Sequence, residues 1–211
     1  MCFTHNISCF FIKYKDTFIV PFFKSNPNPE ICRVKTRKIV ITGGPGTGKT
    51  SVIQALEKSG YYCFHEVSRA IIQEAQQKGI DQLFLKEPLL FSEMLLEGRI
   101  NQHKEAENVD ANLVFLDRGV PDVVAYMNYF GNEYPPVFNR VCREYLYDEI
   151  FLLPPWKDIY TSDNERYESY EQAVQIHDHL AQSYNSHGYR PVEVPCGPVN
   201  DRVSFILDRL V

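Results

Sequence analysis

The cysteines of this 211-residue chain (Cys2, Cys9, Cys32, Cys63, Cys142 and Cys196) form no C-x-x-C pair and no spacing of a metal site. That argues against a zinc module or a disulfide scaffold, and reduced thiols in a cytoplasmic protein are the expectation. Basic residues are not in excess. The 22 Lys and Arg stand against 27 Asp and Glu, giving a formal net charge of -5, whereas a general nucleic-acid binder carries a basic footprint. Nucleic acid is therefore not an expected partner. Long apolar runs are missing too. The nearest candidate, "SCFFIKYKDTFIVPFFK", is broken by Lys13, Lys15 and Asp16 well short of a membrane span. It also lacks the order of a signal peptide. No internal repeat or low-complexity tract is present, and no N-K-x-D segment of the kind GTPases use to read guanine.

What is there begins at Lys35. Residues 1–34 read as an N-terminal extension, either disordered or foreign to the native protein, or else as an added strand or partner-binding arm. "KSNPNPE" reads as an irregular linker, because each Pro disfavours helix at the residue before it. Residues 35–211 read as one nucleotide-binding domain. Its first element, "IVIT", leads into "GGPGTGKTS", Gly43, Gly44, Pro45, Gly46, Thr47, Gly48, Lys49, Thr50 and Ser51. This is G-x-x-x-x-G-K-[ST] between a strand and a helix. Glycines let backbone N–H groups turn inward around a phosphate chain, and the helix N-terminus adds positive potential. Lys49 contributes a mobile cation and Thr50 a hydroxyl for Mg²⁺.

Strand and helix patterns then alternate. "YYCFHE", "NLVFLD", "EIFLLP" and "RPVEVP" read as strands. Helices are expected in "VSRAIIQEAQQKG", "PLLFSEMLLEGRINQHKEAEN", "PDVVAYMNYFG" and "PVFNRVCREYLYD", then in the stretch through His187 and in "NDRVSFILDRL". Leu89, Phe91, Met94, Leu95 and Ile100 are expected to be core contacts of the second of these. Five strands joined by helical crossovers imply a three-layer α/β fold with a parallel sheet. Ligands in such a sheet sit at the carboxyl ends of the strands. The charged strand ends are therefore the places to look for chemistry.

Asp117 ends "LVFLD", ~70 residues after the glycine loop, and is the expected second Mg²⁺ ligand, facing Thr50. The next residue is Arg118, where hydrolytic motors of this class carry a Glu that polarises water. An arginine cannot act as that base, but its planar fork suits phosphate or an anionic substrate group. Its alternative role is a structural pair with Asp122 or Glu66. Glu66, after the second strand, is the candidate carboxylate to orient an acceptor hydroxyl. It could instead pair with Arg69, three residues on. His65 reads as a partly buried strand residue. The loop "PPWKDIYTSDNERYE" reads as a lid, with Arg166 as the cation delivered to the transferring phosphoryl group and Lys157 second. Ser162 or Asp163 is the expected cap of the helix that follows.

"ITGGPGTGKTSVIQAL", "HEVSRAII", "FLDRGVPD" and "LPPWKDIYTSDNER", in that order, resemble the predicted-ATPase family known as an AAA domain. That family is related to the ribosylnicotinamide kinase domain of NadR-type proteins. The resemblance covers Lys35 to Val211 and implies a P-loop fold of the nucleoside- and nucleotide-kinase kind. It implies ATP and Mg²⁺ as cofactors, with "PCGPVN" near the adenine. The implied activity is transfer of the γ-phosphoryl group to a small nucleoside-like acceptor. A nucleotide-dependent switch acting on a protein partner, or a weak ATPase, are the alternatives. Within the resemblance Lys49, Thr50 and Asp117 carry over as nucleotide and metal residues. Glu66, Arg118 and Arg166 carry over as catalytic candidates.

Overall fold

The computed structural model describes residues 35–210 apart from positions 78, 81 and 161–167. The expectations for residues 1–34 and for Arg166, Ser162 and Asp163 lie outside the described residues. The strands are β1 (Arg37–Gly43), β2 (Tyr62–Phe64), β3 (Leu113–Asp117), β4 (Glu149–Leu153) and β5 (Val192–Glu193). They form one parallel sheet in the order β2-β3-β1-β4-β5. The α/β fold with a five-stranded parallel sheet is as the alternating pattern predicts.

Side chains along a strand point to opposite faces, and here each face has its own helices. Ile39, Ile41, Phe115, Phe151 and Leu153 face α1 (Lys49–Lys58) and α8 (Val199–Asp208), where Val52, Ile53, Leu56, Val203 and Ile206 meet them. Val40, Val114, Leu116 and Ile150 face the other way. There they pack on α4 (Pro88–Ala106), α5 (Val120–Tyr129), α6 (Val137–Glu144) and α7 (Tyr170–Ser186), through residues such as Leu96, Val123, Val124, Phe138 and Tyr184. Full burial of each such aliphatic contributes about 1.5–3 kcal/mol. A third cluster joins α2 (Ser68–Gln77) and a short helix α3 (Leu83–Lys86) through Ile71, Ala75 and Leu83.

Some local expectations need correction. The buried stripe of α4 is Ser92, Leu96, Arg99, His103 and Ala106, so an arginine and a histidine stand where apolar contacts were expected. Phe91, Met94, Leu95 and Ile100 pack against the core clusters as expected, while remaining partly exposed, and only Leu89 of the five is exposed. The apolar residues of α4 are spread around the helix, and the polar pair is held by its partners, Arg99 by Glu66 and the Gly119 carbonyl and His103 by the Leu146 carbonyl. α7 follows the loop that ends at Glu168. Ser169 caps it, its hydroxyl accepting from the Gln172 N–H while the Gln172 side chain accepts from the Ser169 N–H. His65 lies outside β2 and is exposed, paired with Glu57 at 2.8 Å. Among the described residues no helix is long and apolar enough to cross a membrane.

β1 is flanked on both sides by β3 and β4, and both faces of the sheet are covered by elements after residue 48. A chain beginning at Lys35 is therefore expected to unfold cooperatively and to bind nucleotide as the full chain does. Loss of a sigmoidal melt by circular dichroism in that chain would place residues 1–34 in the folding unit.

Candidate functional site

The loop after β1 closes on itself. Gly46 and Gly48 adopt left-handed φ values of 71° and 80°, which glycine reaches without a Cβ penalty. The Thr47 hydroxyl donates to the Gly44 carbonyl at 3.0 Å. Lys49 is buried, and its Nζ donates to the Gly43 and Gly44 carbonyls, each at 2.8 Å. Burial, and then repulsion from Arg118, lower its pKa to about 8. Thr50 and Ser51 are exposed in the first turn of α1. Pro45 and Gly46 form the half-buried tip of the loop. The segment after β4 leans on that tip. A Cβ at Gly46 would meet the Tyr160 ring at 2.6 Å, and one at Gly48 would meet Ile159 Cδ1 at 3.5 Å. Trp156, half-buried at the start of this segment, donates its indole N–H to Asp158 at 3.2 Å. Lys157 is exposed.

Asp117 stands beside Ile41 in the β1–β3 register. It is buried, and its Oδ1 has no hydrogen-bond partner among the described residues. Burial raises its pKa, against the pull of Lys49. An orphaned carboxylate oxygen beside the glycine loop fits a hard cation. No group of three or more His, Cys, Asp or Glu that could hold a metal by itself occurs among the described residues.

Arg118 has φ 76°, a left-handed backbone that costs a non-glycine residue ~1–3 kcal/mol. The turn folds its guanidinium back across the strand ends. Nε donates to Glu66 Oε2 at 2.6 Å, and Nη1 donates to Asp122 Oδ1 at 3.1 Å and to the Gly43 carbonyl at 3.2 Å. The fork lies 5.3 Å from the centre of the Tyr126 ring. Glu66 receives a second arginine, Arg99 Nη2 at 3.1 Å, while Arg99 Nη1 holds the Gly119 carbonyl at 2.8 Å. Burial alone would raise the Glu66 carboxyl, but Arg118 and then Arg99 outweigh it and hold the pKa below the ordinary value. Glu66 thus pairs with two distant arginines rather than with Arg69, which is exposed.

Asp122 anchors the group from below. It is fully buried and accepts from Thr42 Oγ1 (2.6 Å), Arg118 Nη1 (3.1 Å), the Gly119 N–H (3.0 Å) and the Tyr184 hydroxyl (2.5 Å). Arg118 thus makes the structural pair open to it in the sequence, with Asp122 and Glu66 together. The structure brings Lys49, Asp117, Glu66 and Arg118 to one end of the sheet. Arg99 has no motif around it and no sequence signal, beyond being a charged residue in a helix whose apolar residues are spread around it.

Comparison with known proteins places this geometry. The model of a family described as "AAA domain" matches residues 38–202. A "Nucleotide-binding protein" of Pseudomonas syringae pv. syringae is 24% identical, the match covering 58% of this chain and 47% of the relative. The chain thus spans about half the length of the curated relatives it matches. Among solved structures, the NadR protein in complex with NR superposes with a TM-score of 0.66 at 20% identity, covering 84% of this chain and 51% of that one. Deoxyadenosine kinase from M. mycoides with bound dATP superposes with a TM-score of 0.58 at 19% identity, covering 82% and 98%. The fold is that of the P-loop kinases.

Proposed function

The chain belongs to the AAA-domain family, and from that premise we propose that it binds Mg-ATP and transfers the γ-phosphoryl group to a small nucleoside-like hydroxyl compound. The observation that carries this reading is the Glu66 carboxylate, held ionised by Arg118 and Arg99 at the same strand ends as Lys49 and Asp117. A carboxylate with a lowered pKa is a weak proton acceptor. It suits the largely dissociative transfer of a phosphoryl group, in which positioning of the nucleophile matters more than its deprotonation. Glu66 orients the acceptor hydroxyl, and Arg118 both aims Glu66 and lies against the Gly43 carbonyl of the loop. The residue after Asp117 being Arg118 leaves no water-activating Glu at that point. Likeness in fold to a deoxyadenosine kinase and to NadR bound to NR supports a nucleoside-like acceptor.

Thr50 and Asp117 would hold Mg²⁺, which would supply neutralisation of the phosphate charge. The backbone of residues 43–51 would cradle the phosphates, and Lys49 would exchange its two loop carbonyls for phosphate oxygens. Arg166 remains the candidate for the cation of the lid. The protein is expected to act in the cytoplasm on a small-molecule acceptor.

Two measurements test the reading. ADP release should be slow with Mg-ATP alone and should rise with one member of a panel of nucleosides. Fast release without any acceptor would replace kinase by ATPase, and none with any acceptor would favour a nucleotide-dependent switch. The nucleotide site itself is tested by calorimetry. Lys49→Ala loses a charge-assisted contact of about 1.5–3 kcal/mol, so affinity for ATP should fall roughly 10- to 150-fold. Thr50→Ala and Asp117→Asn should mainly weaken the Mg²⁺ dependence. Unchanged Mg-ATP binding in all three folded variants would refute the site.

A further inference from the structure

The first turn of α8 follows the turn after β5, and so stands at the carboxyl ends of the strands beside the glycine loop. Arg202 projects from it. This arginine is 4% exposed, and its Nη2 donates to the Thr47 carbonyl at 2.8 Å. Its Nη1 lies 2.9 Å from where a Cβ on Gly48 would stand, so the guanidinium sits directly against the loop just before α1.

The charge of Arg202 meets no carboxylate among the described residues. Arg99 and Arg118, the other two buried arginines among the described residues, are paired with Glu66 and Asp122. Among the described residues Arg202 has no acidic partner, and its Nε is buried without a hydrogen bond. Arginine does not deprotonate in proteins, and a buried cation without a counter-ion is strongly unfavourable. A buried charge retained at this place is accounted for when the counter-ion is a ligand. Lys49 already serves the start of the loop, through the carbonyls of Gly43 and Gly44. Arg202 serves its end, at Thr47.

We propose that Arg202 is a further nucleotide-binding residue, the counter-charge for the phosphate chain at the Thr47–Gly48 end of the loop. The proposal rests on the nucleotide-binding reading above and adds a second cation to it, from an element far away in sequence. While its Nη2 fixes the Thr47 carbonyl, its full positive charge, unanswered by any described carboxylate, acts on a phosphate chain held by the loop. The ligand class is a polyphosphate, and the base contributes nothing to this contact.

Isothermal titration of the full chain with Mg-ATP and with magnesium tripolyphosphate separates the alternatives, in wild type, Arg202→Gln, Arg202→Lys and Lys49→Ala. Arg202→Gln should weaken both ligands by the same factor, about ten-fold or more, because it removes a charged contact to phosphate. Arg202→Lys keeps the charge and should stay within about three-fold of wild type. Wild-type affinity of Arg202→Gln for both ligands, while Lys49→Ala is weakened, would make Arg202 a tie between α8 and the loop and overturn the proposal alone. Loss for ATP with tripolyphosphate unchanged would also overturn it, by moving the contact to the nucleoside side. If Arg202→Gln does not fold, the lysine variant decides, and a loss well beyond ten-fold there is the overturning result. Wild type binding neither ligand would remove both this proposal and the nucleotide-binding reading.

Discussion

Replacing Asp122 with alanine should destabilise the fold by about 3–5 kcal/mol, the cost of breaking a buried charged pair and leaving its partners unanswered. Domains of this kind are stable by only about 5–15 kcal/mol, so the variant is expected to be largely unfolded at modest urea. Four donors lose their acceptor at once: Thr42 Oγ1, Arg118 Nη1, the Gly119 N–H and the Tyr184 hydroxyl. Asp122→Asn keeps the shape but forces an NH₂ group toward one of these donors, and should cost ~1–3 kcal/mol. A pH signature accompanies the effect. Burial tends to raise the Asp122 carboxyl, but Arg99, Arg118 and the hydrogen bonds from Thr42 and Tyr184 bring it below its ordinary 3.8. A carboxylate with a lowered folded-state pKa stabilises the protein above its unfolded value. That contribution is lost as pH falls from about 3.8 through the lower folded-state value. Urea titrations at neutral pH and in acid should therefore show a smaller acid-induced loss in Asp122→Asn than in wild type. Equal stability of wild type and Asp122→Ala at neutral pH would remove Asp122 as the anchor of the cluster.

Glu66→Gln should leave the fold and the nucleotide site in place while lowering kcat with the true acceptor by ~10²- to 10⁴-fold. Gln still accepts one hydrogen bond but offers no negative charge to Arg118 and Arg99, so the two guanidinium groups lose their common counter-ion and the acceptor hydroxyl its orienting anion. The expected signature is an equal fall in kcat and kcat/KM, which marks an interaction used in the transition state. ATP affinity should change by no more than about three-fold, because neither oxygen of Glu66 bonds to the loop. Arg118→Ala should damage acceptor use as well, and also reduce stability by withdrawing the partner of buried Asp122. Turnover of Glu66→Gln within a few-fold of wild type would assign Glu66 a structural role and leave the phosphoryl acceptor without an identified partner.

The phosphate loop and the sheet were legible in the sequence because each is written in contiguous residues. "GGPGTGKT" needs only its own glycines and its place between strand and helix, and β1 shows its two-faced burial in "KIVIT" alone. Asp117 and Glu66 could be picked out for the same reason, Asp117 as the charge that ends β3 and Glu66 as the charge two residues past β2. The cluster around them could not be read this way. Arg99 reaches Glu66 across 33 positions, Arg118 reaches it across 52, and Arg202 reaches Thr47 across 155. A charge on a helix reads locally as a solvated side chain, since a helix pattern shows which face is apolar and not what waits at the end of a sheet. The strand order β2-β3-β1-β4-β5 decides that. It sets β3 between the strand that precedes Glu66 and the strand leading to the glycine loop, and brings α4 and α8 down onto the same carboxyl edge. Burial there makes unpaired charge costly, so each side chain takes the partner that only the completed sheet supplies.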